Sequence, residues 1–289
     1  MGIEISLGAI PSPRDKRTLS MSMILPEFNT VSRVDYEEVM APVGRQGKDG
    51  TCVAFALVSI LEYKTRKEHG DGSYKPLSQR YLFNECDKLD SFATCPSGNG
   101  ERGTSIHAGL EVLYKTGVCE AEFWPYIGCN PCLDSDCDIG KPKDGADLNA
   151  AKYKIKAYAQ LENIVSIKRS LMIEGPCIVG VRVYENWKTE EVERTGEIPM
   201  PPEGVDPKGI GGHALCVVGY NDDTRMFKIK NSWGIEWGEK GYGSLPYDYM
   251  EREFSEAWSI TDYIENPSGL IETKEKILDQ MGENYVEKN

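Results

Sequence analysis

From Cys52 to Leu61 every position except Ser59 is apolar, and the run then passes into Glu62, Lys64, Arg66, Lys67 and His69 before Gly70. Cations in a last turn followed by glycine are what a helix carboxyl end favours, so the pattern predicts a helix over 52–69 whose first half is buried all round. Helical spacing recurs over 77–87 and 104–115, the second with Thr104 or Ser105 to cap it and Gly117 to end it. A stretch rich in Cys, Pro, Gly and Asp covers 127–148, and the character changes beyond it. A helix over 162–174 stops at Gly175-Pro176, and strand-like runs follow at 177–184, 213–220 and 226–231. A helical first half and a sheet-forming second half predict an α+β chain of two lobes with a cleft between them. The segment 196–212 reads as a long surface loop, and 267–289 places Leu270, Ile277, Met281 and Tyr285 at helical spacing.

Composition narrows the function. The chain has 289 residues and 40% hydrophobic content, enough for a sizeable core. Its 33 Lys and Arg against 46 Asp and Glu give a net charge of −13, the wrong sign for gripping nucleic-acid phosphates or anionic lipid. The longest apolar run falls short of the ~20 residues that span a bilayer, so neither nucleic acid nor membrane is expected as a partner. Met1 to Arg17 lacks the charged start and apolar block of a secretory signal, which points to the cytoplasm. Met1-Gly2 with Ser6 fits the loose N-myristoylation pattern.

Nine cysteines cannot all pair within one chain. Cys177 and Cys216 fall in strand-like apolar runs, where a thiol acts as a small hydrophobe. Cys86, Cys95, Cys119, Cys129, Cys132 and Cys137 lie in the loop-rich middle, where up to three bridges or a zinc site are open readings, with a bridge from the 129–137 cluster to Cys86 or Cys95 preferred to zinc. Asp134, Asp136 and Asp138 alternate like the start of a calcium loop but lack its closing glutamate. No metal or cofactor is called for.

Cys52 remains, at the head of a long helix after Gly47-Lys48-Asp49-Gly50-Thr51. Unpaired N–H groups and the positive end of the helix dipole point there, an environment expected to lower a thiol pKa and favour the nucleophilic thiolate. Of three histidines, His69 and His107 lie within predicted helices, whereas His213 sits at a loop-to-strand boundary after Gly211-Gly212. A turn centred near Asp222 would set His213 opposite Asn231 across a hairpin, as a base and its orienting amide require. Gln46, six residues before Cys52, offers a side-chain N–H that joins the backbone N–H of Cys52 in an oxyanion site.

Three blocks now carry a resemblance. Gln46-Gly47-Lys48-Asp49-Gly50-Thr51-Cys52, Gly212-His213-Ala214, and Lys230-Asn231-Ser232-Trp233-Gly234 running to Gly243 resemble, in order, the signatures of papain-like cysteine peptidases. Leu77 to Leu82 and Trp124-Pro125-Tyr126 resemble two further family segments, so the likeness runs from about residue 25 to 260. The resemblance implies a papain-like two-lobe fold, with a helical lobe over roughly 40–126 and an antiparallel sheet or barrel lobe over roughly 150–264. It implies Cys52 as nucleophile, His213 as general base and acid, Asn231 as orienter, Gln46 as oxyanion donor and Trp233 as a shield over the His213–Asn231 bond. Gly103 and Thr104, with Gly212, are then expected to meet the backbone of an extended peptide or protein substrate, hydrolysed as by a cysteine endopeptidase.

The departures are as informative. The family usually carries a disulfide-forming cysteine where this chain has Asp49, an aromatic where it has Val53, and Asp or Asn where it has Gly212. Only 51 residues precede Cys52, so the family's long inhibitory prosegment is absent and residues 1–24 are expected to fold over the cleft as a short lid, with 265–289 a helical or mobile tail. An inactive papain-fold binding protein and a thioester-forming acyl or peptidyl transferase are the rival readings.

Overall fold

The computed structural model describes residues 6–13, 18, 20–24, 28–70, 72, 74–90, 102–204 and 209–261. Its helices are α1 (Met21–Ile24), α2 (Cys52–His69), α3 (Gln79–Asp87), α4 (Ile106–Lys115), α5 (Ala146–Ala150), α6 (Ile164–Ile173), α7 (Glu190–Thr195) and α8 (Tyr247–Glu253). Its strands are β1 (Ala9–Ile10), β2 (Arg33–Asp35), β3 (Thr104–Ser105), β4 (Ala157–Leu161), β5 (Cys177–Val183), β6 (Gly211–Asn221), β7 (Met226–Lys230), β8 (Tyr242–Pro246) and β9 (Phe254–Thr261).

Local chemistry sets the helix ends. Helix α2 closes on Gly70 at φ 84°, with Arg66, Lys67 and His69 in its last turn. Helix α3 starts two residues later than periodicity suggests, because Leu77 bridges to Glu120 while the Ser78 hydroxyl accepts the Tyr81 N–H. Ser105 caps α4 in the same way from the end of β3, and Asn163 with Ser166 forms a capping box on α6.

One sheet runs β4-β9-β5-β6-β7-β8, with β2 added on β6, and its pairings are antiparallel. Along β6, Ala214, Cys216 and Val218 face a core shared with α2, α3 and α4, while Leu215 and Val217 face a second core with Phe227, Ile229 and Trp237. Burial on both faces is why the strand reads as one continuous apolar run. The helical part therefore packs directly on the sheet, and the head of α2 lies against it at the cleft.

The expected β6–β7 register is corrected. The strands pair Cys216 with Lys230 and Val217 with Ile229, slip at a bulge before Gly219, and close at Asn221 with Met226. The loop thus occupies 222–225, further along than the expected turn, and His213 pairs with Val181 of β5 instead. The cysteine expectations also change. Cys129 bonds Cys137, and Cys132 is disulfide-bonded too, whereas Cys86 and Cys119 are free and fully buried in the helical core. Cys95 and the tail at 265–289 lie outside the described residues. The segment expected as a surface loop is tied to β8 at its start, through Ile198 N–H to Ser244 O (3.0 Å) and Ser244 N–H to Gly196 O (2.9 Å). Among the described residues no helix is long and apolar enough to cross a membrane.

One buried acid in α2 makes stability depend on pH. Glu62 is 5% exposed, its Oε1 accepts the Leu77 N–H at 2.9 Å, and burial pushes its carboxyl up to about 7. Because the folded value lies above the unfolded one, its contribution is full below the ordinary carboxylate range and is lost as pH rises toward 7. The stability gained by Glu62→Gln is expected to be near zero at pH 4.5 and to grow to ~3 kcal/mol by pH 8, read by denaturant unfolding at each pH. A gain that does not change with pH would show that Glu62 does not titrate in this range.

Candidate active site

Cys52 opens α2 and is wholly buried. Thr51, at the cap position, makes no side-chain cap, because its hydroxyl is bonded to the Tyr126 hydroxyl at 2.6 Å. Of the first-turn N–H groups, that of Val53 favours a charged sulfur, as do the N–H groups of Ala214 from β6 and of Gly8 from the chain's start. Ala214 follows His213, so the head of the helix and the start of β6 meet at this sulfur.

His213 is also fully buried, and its Nε2 lies 2.9 Å from Asn231 Oδ1. An amide oxygen only accepts, so Nε2 carries the hydrogen and Nδ1 keeps the lone pair. Nδ1 has no hydrogen-bond partner. The indole of Trp233 stacks on the imidazole with centroids 4.8 Å apart at 27°, and Trp187 meets it edge-on at 6.4 Å. Asn231 does not stand directly opposite His213; continuing the register past Lys230 sets it opposite Leu215, two positions along and on the same face. The contact survives the register correction for that reason.

Gln46 is held from four sides. Its N–H donates to Ser232 O (2.8 Å), its carbonyl accepts from the Tyr126 hydroxyl (2.7 Å), Oε1 accepts from the Ser232 hydroxyl (2.6 Å), and Nε2 donates to Asp49 O (2.9 Å). The amide has no freedom to turn, and its other N–H points to the carbonyl of Ser6 at 3.1 Å. Ser232, Tyr126 and Trp187 are the positioning groups that sequence reasoning missed. Ser232 was within reach, since it sits between Asn231 and Trp233 in the same block.

A family model described as papain family cysteine protease matches residues 29–253. The chain belongs to this family. An uncharacterized peptidase C1-like protein, L477, of Acanthamoeba polyphaga mimivirus is 31% identical over 228 residues, covering 75% of this chain and 68% of that one. Cysteine proteinase 3 of Solanum lycopersicum is 27% identical over 224 residues; the match covers 76% of this chain but only 56% of the relative's length. Among solved structures, xylellain, a cysteine protease from Xylella fastidiosa, superposes with a TM-score of 0.76 at 28% identity, covering 90% of this chain and 97% of that one.

This papain-family cleft is filled by the chain's own start. Gly8 N–H donates to Gly212 O (3.2 Å), Gly8 O accepts from Thr104 N–H (2.9 Å), and β1 pairs parallel with β3. Ser12 continues across to Glu256 Oε1 (3.0 Å) and His107 N–H (3.1 Å). Of the residues expected to meet a substrate backbone, Gly212 and Thr104 hydrogen-bond Gly8 of the same chain, and Gly103 lies against the Gly8 carbonyl. Gly8 has no room for a side chain, since a Cβ there would lie 2.0 Å from Gly50 O.

The closed cleft reverses one electrostatic expectation. Burial pushes the Cys52 thiol up to about 11 against the pull of its three N–H neighbours, and pushes His213 down to about 4. Neither the thiolate nor the imidazolium is favoured while residues 6–9 exclude water. Here the cost of burying a thiolate outweighs what the helix amino end contributes.

Proposed function

We propose that this chain is a cysteine endopeptidase that residues 6–12 hold closed. The observation that carries the reading is His213 Nδ1, buried without a partner on a ring whose other nitrogen is bonded to Asn231. An acceptor left open in this way, on the residue just before Ala214, whose N–H meets the Cys52 sulfur, is what a general base needs.

In the open form, Cys52 Sγ attacks the substrate carbonyl carbon as its proton passes to His213 Nδ1. The oxyanion accepts hydrogen bonds from the Cys52 N–H and from the Gln46 Nε2–H that Ser6 otherwise takes. Collapse breaks the C–N bond, and His213 returns the proton to the departing amine. Water, giving a proton to His213, then cleaves the thioester and restores the thiol. Asn231 Oδ1 holds the tautomer throughout, and Trp233 keeps water from that bond.

The oxidised Cys129–Cys137 pair favours an oxidising compartment over the cytoplasm that the sequence suggests. The test of activity is alkylation with an epoxysuccinyl probe at neutral pH, mapping of the labelled residue, and hydrolysis of fluorogenic peptides. Label on Cys52 with free amine and acid as products is the expected result. Absence of both supports the inactive binding protein, and amide conjugates formed with added amines support a transferase.

A further inference from the structure

Buried charges outside the reaction tie together the two backbone segments that wall the cleft. Asp49 Oδ2, fully buried, accepts from Arg80 Nη1 at 2.7 Å and from Arg102 Nη1 at 3.1 Å, while Oδ1 accepts the Gly50 N–H at 3.1 Å. The second arm of Arg102 donates to Asp87 Oδ2 at the end of α3 (3.0 Å), and that of Arg80 donates to Ile127 O (2.7 Å). Just past α3, Asp90 Oδ2 accepts from the Thr104 hydroxyl (2.8 Å), the Ser105 N–H (2.9 Å) and the Ser105 hydroxyl (3.1 Å). Aromatic faces cover both guanidinium groups, Tyr126 beneath Arg80 and Phe83 beneath Arg102, each 4.8 Å from the ring centroid.

Helix α3 is thus a splint. Its carboxyl end, through Asp87 and the following Asp90, fixes the 102–105 edge, its first turn holds Asp49 through Arg80, and Asp49 links that edge to the loop that presents Gln46, Gly50 and Cys52. The tolerance is small: a Cβ on Gly50 would lie 1.8 Å from Arg102 O, and the Thr104 N–H beside it is the donor that meets the extended peptide.

We infer that Arg102, forked between Asp49 and Asp87, is a positioning residue that fixes the backbone edge on which a substrate pairs. The network occupies the place where this family usually has a disulfide cysteine, and ion pairs hold the two walls there without one. A planar guanidinium reaches two carboxylates at once, which an ammonium cannot do. The role of the edge in substrate binding rests on the peptidase reading above; the attachment of the edge does not.

Two measurements on the full-length chain separate these. In Arg102→Met, amide exchange of residues 102–106 is expected to accelerate by about tenfold or more, with 52–61 unchanged. In a full-length Gly8→Val background, in which the cleft is free, Arg102→Met is expected to raise KM for a tripeptidyl substrate about tenfold with kcat within about twofold, and Arg102→Lys to recover part of the loss. Asp87→Asn keeps the Asp49 pair and removes only one anchor, so it gives the same pattern more weakly should Arg102→Met not fold. Unchanged exchange at 102–106, acceleration spread equally through α2, or a fall in kcat at constant KM overturns the inference. Lack of turnover in the Gly8→Val parent counts against the peptidase reading alone, and the exchange pattern still decides the clamp.

Discussion

Cys52→Ala is expected to reduce peptide hydrolysis by at least about 10⁴-fold while leaving the fold intact. The sulfur is the only group at the head of α2 able to form the acyl intermediate, and alanine at a fully buried helix position removes one atom without adding strain. His213→Ala should cost about as much, since without Nδ1 the thiol of an apolar pocket keeps its proton. Because thiol and imidazole act as one unit, the double variant should be no worse than either single one. Turnover is measured with a fluorogenic peptide at saturating and at limiting concentration, and far-ultraviolet circular dichroism checks the fold. Residual hydrolysis within tenfold of wild type in Cys52→Ala would remove this sulfur from the mechanism.

Much of this centre could be read before any coordinates. Cys52 was legible because a helix that is apolar at its start and cationic at its end fixes its own polarity, which sets the sulfur at the positive pole. His213 and Asn231 were legible as a pair through hairpin spacing even though the register was misjudged. A bulge and a longer loop moved the strands by two positions, and a strand has a period of two, so the side chains stayed on one face. A slip of one would have parted them.

What escaped the sequence was long-range. Strands β8 and β9 follow no clean alternation, because Gly243 and Pro246 in one and Glu256 in the other break the pattern, and β9 pairs with β4 and β5 far back along the chain. Cys86 was open to a bridge by its place near other cysteines; in space it faces the helical core from α3, where its thiol is free and buried. The thiol's upward shift was also invisible, since it comes from complete burial by segments distant in sequence, and no local pattern reveals which segment will cover a given atom.

Gly8→Val is expected to raise both peptide hydrolysis and alkylation of Cys52 by about a hundredfold in the full-length chain. The segment crosses the sulfur where backbone meets backbone: a Cβ on Gly8 would fall 2.0 Å from Gly50 O and 2.5 Å from Gly50 C, atoms that no side-chain rotation can clear. The replaced residue must leave, taking with it the Ser6 carbonyl from Gln46 Nε2 and the Gly8 carbonyl from Thr104 N–H. Water then reaches the thiol and the imidazole. Cys52 should titrate below its closed-state value of about 11 and His213 above its closed-state value of about 4, so the thiolate–imidazolium pair gains population between them. The alkylation rate measured against pH therefore carries the sign of the effect: its rising limb should move to lower pH in Gly8→Val than in wild type. Steric blockage alone would raise the rate without moving that limb. An unchanged rate in a folded Gly8→Val chain would mean that residues 6–12 do not govern access to Cys52 in solution.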